Sequence, residues 1–181
     1  MMRSFIHKIS IPISLALVFT IMLSGCTALY VLFMPFEELS HIEYVQELSG
    51  LDITESVIVS EEDSHGGFLG DGALTVKFDC TAISDSVLQQ IQHWNALPLS
   101  QNLRLIMYGG SEYGINFDGY NLAEEYGIPY VENGCYYFRD RHSESTDPTS
   151  DTNLFSRSSY NFSLLLYDLD KSILYLFEYD T

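Results

Sequence analysis

Two apolar runs near the C-terminal end, Tyr160 to Tyr167 and Ser172 to Tyr179, are separated only by Asp168-Leu-Asp-Lys171. A connection this short, rich in turn formers, joins antiparallel strands. Side chains alternate along a strand, so Phe162, Leu164 and Leu166 share one face, with Ile173, Tyr175, Phe177 and Tyr179 across from them. The opposite faces are apolar as well. A hairpin greasy on both sides belongs at the centre of a sheet or beneath helices. The expected fold is therefore α+β: a mostly antiparallel sheet with two or three helices packed on one face, preceded by an N-terminal hydrophobic signal or anchor segment.

The remaining periodicities fill in that outline. Phe36, Leu39, Ile42, Val45 and Leu48 recur at every third position, the spacing of an amphipathic helix, and Gly50 is its natural stop. Ser56 to Ser60 reads as a short strand. Gly72 to Cys80 reads as another, with Leu74, Val76, Phe78 and Cys80 alternating against Thr75, Lys77 and Asp79. Ser86 and Gln89 match a capping box, and Val87, Leu88, Ile91 and Trp94 then mark one helical face closed by Pro98. Leu103 to Tyr108 reads as a strand ending at Gly109-Gly110. Asn121 to Tyr126 reads as a brief helix stopped by Gly127 and Pro129. Tyr130 to Phe138 is strand-like, interrupted by Asn133-Gly134, and the polar stretch His142 to Asn153 reads as an exposed loop. No internal repeat is visible, so residues 36–181 are expected to form a single domain.

The N-terminal end carries an address. Arg3 and Lys8 form a short basic head, Ile9 to Met22 an apolar segment, and Leu23-Ser-Gly-Cys26 a small-residue junction ending in cysteine. This arrangement resembles the lipobox of bacterial lipoproteins. The resemblance implies that residues 1–25 are a signal peptide, removed to leave Cys26 as the lipid-bearing first residue. A second reading stays open. No charge occurs between Lys8 and Glu37, and a helix needs roughly 20 apolar residues to cross a bilayer. Residues 9–34 then remain as an uncleaved membrane anchor with Cys26 inside it. Both readings put the domain on the extracytoplasmic side of the cell membrane, since the positive residues precede the span and Glu37 and Glu38 follow it.

Charge narrows the partners. All 25 acidic residues lie beyond Cys26 while Arg3 and Lys8 precede it, which leaves the exported part with a net charge near −19. Nucleic acid is excluded as a partner, because its phosphates need Lys and Arg to displace their counterions. Anionic headgroups would repel this surface, so attachment rests on the N-terminal lipid or hydrophobic anchor. A cationic protein or peptide suits the sign of the field, and plain solubility explains the same acidity. Abundant aromatics, including 13 Tyr and 11 Phe, argue against disorder. Cys80 and Cys135 read as two buried thiols, although an exported location permits a disulfide.

One segment stands out locally. His65-Gly66-Gly67-Phe68-Leu69-Gly70-Asp71-Gly72 places four glycines in eight positions, which implies unusual backbone angles or close approach by another chain. It lacks the Lys-Ser or Lys-Thr of a phosphate loop and precedes a strand rather than a helix. As a binding loop it offers His65, Gly66, Gly67 and Asp71, with His65 and Asp71 presenting a base and a carboxylate. As plain structure it is a long hairpin connection with Phe68 plugging the core. Glu61, Glu62, Asp63 and Asp71 match no calcium-loop spacing, and Asp168 and Asp170 suit a turn, so no metal is assigned. No Gly-x-Ser-x-Gly elbow occurs, and no catalytic residue or cofactor is assigned. This string, its acidic lead-in and the Tyr-rich end at Glu178-Tyr-Asp-Thr181 are similar to small uncharacterised exported lipoproteins of low-GC Gram-positive bacteria, a resemblance that implies a tethered domain and no particular activity. The functional expectation is a non-enzymatic binding domain. An immunity-type protein that neutralises a cationic toxin, or an envelope enzyme using the His65–Gly72 loop, are the alternatives.

Overall fold

The computed structural model describes residues 39–66, 70–112, 114–117 and 119–181. The expected signal peptide, the alternative anchor and Cys26 lie outside them, as do Phe36, Gly67 and Phe68. The first helix, α1 (His41–Ser49), is fixed at both ends by its own sequence. Ser40 adopts an extended conformation and its hydroxyl accepts from the Glu43 N–H, while the Glu43 carboxylate accepts from the Ser40 N–H at 2.9 Å. That reciprocal box satisfies two otherwise orphaned donors. Gly50, at φ +76°, closes the last turn by donating to the Gln46 carbonyl.

Strands β1 (Val57–Asp63) and β2 (Gly72–Asp79) form an antiparallel hairpin, longer at its acidic end than the expected Ser56–Ser60 segment. Six strands make one sheet in the order β1, β2, β8 (Ile173–Asp180), β7 (Asn161–Asp168), β6 (Gly134–Asp140) and β3 (Asn95–Ala96). Every ladder in it is antiparallel. The β7–β8 hairpin lies in the middle. Phe162 stands opposite Tyr179, Leu164 opposite Phe177 and Leu166 opposite Tyr175, on the shared face that alternation implies. Its turn is tied by Asp168, whose Oδ1 accepts from the Asp170 and Lys171 N–H groups.

Helices cover both faces, which corrects the expectation of two or three on one. Against one face lie α3 (Gln101–Tyr108) and α4 (Leu122–Glu125). They bury Leu103, Ile106, Met107, Leu122 and Ala123 on Phe138, Phe162, Leu164 and Phe177. Against the other lie α1 and α2 (Ser84–Gln90), with Val45, Leu48 and Val87 packed on Val76, Phe78, Leu165 and Leu176. The physical reason is the hairpin itself. Phe162, Leu164 and Leu166 point one way and Leu165 and Tyr167 the other, so each face needs its own cover.

Three local expectations change. Leu103–Tyr108 belongs to a helix, not a strand. Ser100 caps it by accepting from the Leu103 N–H, and Leu103, Ile106 and Met107 then share one buried stripe. The Ser86–Gln89 capping box does not form. Asp79 accepts from the Thr81 N–H at 2.8 Å and starts a 3-10 turn over Thr81–Ile83, so helical structure is under way before Ser86. Leu88 is consequently exposed rather than on the buried face. Finally, β6 begins only at Gly134, where a Cβ would lie 2.1 Å from the Tyr167 carbonyl oxygen. Glycine is required there by that approach. A small hairpin, β4 (Ser111–Glu112) with β5 (Ile115–Asn116), was not foreshadowed. No helix among the described residues is long and apolar enough to cross a membrane.

Candidate functional site

The glycine-rich connection closes on itself before it meets anything else. The Ser64 N–H donates to the Ala73 carbonyl at 2.9 Å and the Gly66 N–H to the Asp71 carbonyl at 3.3 Å. At Gly72 a Cβ would lie 2.5 Å from the His65 Cα, so the two limbs approach as only glycine allows. That close approach fixes the backbone that presents His65.

His65 is held by two carboxylates, and neither is Asp71. Its Nδ1 lies 2.7 Å from Asp63 Oδ1, and its Nε2 lies 3.1 Å from Asp180 Oδ2. The His65 backbone N–H also donates to Asp63, which holds that carboxyl below its ordinary range. Asp71 is exposed and meets this part of the loop only through its main-chain oxygen. Gly66 contributes its backbone to the loop closure, and Gly67 lies outside the described residues.

From Asp180 the polar contacts run across the open end of the central hairpin. Arg141 Nη2 donates to both Asp180 oxygens, at 2.9 and 3.0 Å, and Asn161 donates to the same carboxylate. Arg141 Nε lies 3.4 Å from Glu178 Oε1. Glu178 in turn accepts from Ser163 at 2.6 Å and from the Tyr44 hydroxyl on α1. Burial, and then the hydrogen bond to Glu178, push the Tyr44 phenol up to about 12. The result is one continuous chain from Asp63 and His65, through Asp180 and Arg141, to Glu178, Ser163 and Tyr44.

Strand geometry explains why these groups meet. Asn161 stands opposite Asp180 and Ser163 opposite Glu178, on the face that Leu165 and Tyr167 continue into the core. Sequence reasoning missed them, although the signal was there: polar residues at alternate positions interrupt an otherwise apolar face. The buried Ser163 and Glu178 satisfy one another and Tyr44, as polar groups withdrawn from water must.

Chemically, the polar groups of this arrangement are engaged with one another. A general base needs a lone pair turned toward its substrate. Both ring nitrogens of His65 face carboxylates, and Ser163 is bonded to Glu178 and Tyr44 instead. A cleft of about 200 Å3 adjoins the chain, lined by Tyr44, Glu47, Leu48, Arg139 and Arg141. It is smaller than the roughly 300–1,000 Å3 typical of small-molecule sites.

The other candidates are dispersed. Glu61 pairs with His41 at 3.0 Å, and Asp168 ties its own turn. Among the described residues no group of three or more His, Cys, Asp or Glu is placed to hold a metal. Cys80 and Cys135 are free, and β7 and β8 lie between the strands that carry or adjoin them. Three strand spacings amount to about 14 Å, well past the roughly 7 Å limit for a disulfide. Comparison with protein-family models, with curated proteins and with solved structures found no match to this chain.

Proposed function

We propose that this chain is an extracytoplasmic interaction domain tethered to the cell membrane by its N-terminal segment, with a cationic protein or peptide as its partner. The observation that carries the reading is the charge layout: a basic head, an uncharged run from Ile9 to Phe36, and then every one of the 25 acidic residues. A long-range negative field of this kind speeds encounter with a positive partner and repels anionic surfaces. The Leu23–Cys26 junction supports lipid attachment at Cys26, with residues 1–25 removed. Under the alternative, residues 9–34 stay as the anchor. The engagement of both His65 nitrogens supports binding over catalysis, because it leaves no free base in the loop.

Intact-mass analysis of the membrane fraction tests the tether. A chain starting at a diacylated Cys26 is the expected product, and an unmodified full-length chain assigns the anchor instead. Recovery of the protein in the soluble cytosol would overturn both. Pulldown from solubilised membranes tests the partner, with a stoichiometric basic protein as the expected result.

A further inference from the structure

We propose that the outer edge of β1 is a docking edge, which takes an extended partner segment carrying Lys or Arg as an added antiparallel strand. This deepens the interaction reading and rests on it. Four observations point to that edge. First, β1 ends the sheet: one side pairs with β2, and among the described residues no strand pairs with the other, which leaves its outward N–H and C=O groups open to pairing. Second, all seven of its residues are exposed, although it is an integral strand. Third, Val57, Ile58 and Val59 are 63%, 41% and 52% exposed in succession, whereas the other exposed large apolar residues described, such as Leu88, Ile115 and Tyr130, are scattered singly. A consecutive apolar run on an open edge is the unusual feature.

The fourth observation selects the occupant. Glu61, Glu62 and Asp63 follow the apolar run, and Glu62 is left without an ion pair among the described residues. A second copy of the chain fits badly. Antiparallel self-pairing about Ser60 would set Val57, Ile58 and Val59 against Asp63, Glu62 and Glu61, and parallel in-register pairing would set acid against acid. A foreign strand that begins with basic residues and continues with apolar ones satisfies both halves. In antiparallel register its cations meet Asp63, Glu62 and Glu61, and its apolar residues meet Val59, Ile58 and Val57. The order basic-then-apolar is therefore the specificity this edge imposes.

The probe is a labelled synthetic peptide, acetyl-Lys-Arg-Lys-Thr-Val-Ile-Val-amide, titrated by fluorescence anisotropy into the full-length protein in neutral detergent. Saturable binding that weakens with salt is expected, together with slowed amide exchange across Val57–Asp63. Glu62→Lys, at an exposed site that leaves the fold intact by circular dichroism, should weaken binding about tenfold. A peptide N-methylated at alternate backbone amides should not bind. Absence of binding, unchanged exchange in β1, equal affinity of Glu62→Lys, or full binding by the N-methylated peptide would each overturn the proposal. The two levels separate cleanly. A basic partner still captured by Glu62→Lys removes the edge and keeps the interaction domain, whereas a chain found off the membrane removes the tether and leaves the peptide result standing.

Discussion

Strands β7 and β1 belong to one sheet and both contain blocks of large apolar residues, yet their surroundings are opposite. In β7 every residue after Asn161 is buried, with a strand on each side and helices on both faces. In β1 every residue is exposed, with one neighbouring strand among the described residues. Residue type therefore does not decide burial here. Position in the sheet does: β7 sits between two strands with helices on both faces, while Val57-Ile-Val59 lies on the end strand, one serine before three acids. The central strands hold the buried apolar surface, and β1 holds none.

The sharpest attempt to break this contrast is a pair of truncations. Phe162 is fully buried between the sheet and the α3–α4 layer, and Phe162→Ala should destabilise by about 3–5 kcal/mol through lost transfer energy and the cavity left behind. Ile58→Ala on β1 should change stability by no more than about 0.5 kcal/mol. Urea unfolding of the two variants reads the difference directly. Equal costs would mean that β1 is covered in solution, and the contrast would fail.

Ion pairs should divide in the same way. Arg157 and Asp140 lie 2.9 Å apart with side chains only 6% and 3% exposed, beside the buried half of the sheet. Arg157→Ala strands the Asp140 carboxylate in a low-dielectric site and should cost about 3 kcal/mol. The His41–Glu61 pair that links α1 to β1 is 26% and 49% exposed. Glu61→Gln should cost at most about 1 kcal/mol, since solvent screens an open pair. Thermal melts at matched salt distinguish the two, and a Glu61→Gln loss as large as that of Arg157→Ala would place real structural weight on the edge.

The same contrast explains what the sequence disclosed. The β7–β8 hairpin was legible down to which residues share a face, because period-2 alternation there is long and its turn is short; the residue-by-residue register was not. Helix α1 was legible from its spacing and Gly50. Residues 101–108 were not, because Leu103-Arg-Leu-Ile-Met-Tyr108 is equally apolar in strand or helix. Ser100 and the burial of Leu103, Ile106 and Met107 together settle it, and that burial is a tertiary fact. Helices on both faces could have been inferred from Leu165 and Tyr167, which were as visible as Phe162. At the site, the glycines singled out His65, whose carboxylates are Asp63, two positions before it, and Asp180, 115 positions away and brought in by strand pairing that no local pattern encodes. Asp71, close in sequence, was the wrong neighbour for the ring.

Helix α1 touches both halves and gives the finest test. His41 reaches the edge at Glu61, whereas Tyr44 reaches Ser163 and Glu178 at the open end of the central hairpin. Tyr44→Phe keeps the ring and removes only the hydroxyl, so Glu178 loses one donor; about 1–2 kcal/mol should follow. His41→Ala should cost less than about 1 kcal/mol. The pH profile separates the hydroxyl from mere packing. Folding raises the Tyr44 phenol from 10.0 to about 12, so the native state favours its neutral form. That contribution is fully present below the unfolded value and is lost as pH rises from about 10 to about 12, where the unfolded state releases the proton more readily. The stability difference between wild type and Tyr44→Phe should therefore be constant up to about pH 10 and shrink above it, measured by denaturant unfolding at each pH. A difference that stays constant through that window would show that Tyr44 contributes shape alone, and that the polar chain linking α1 to the hairpin does not hold the helix in place.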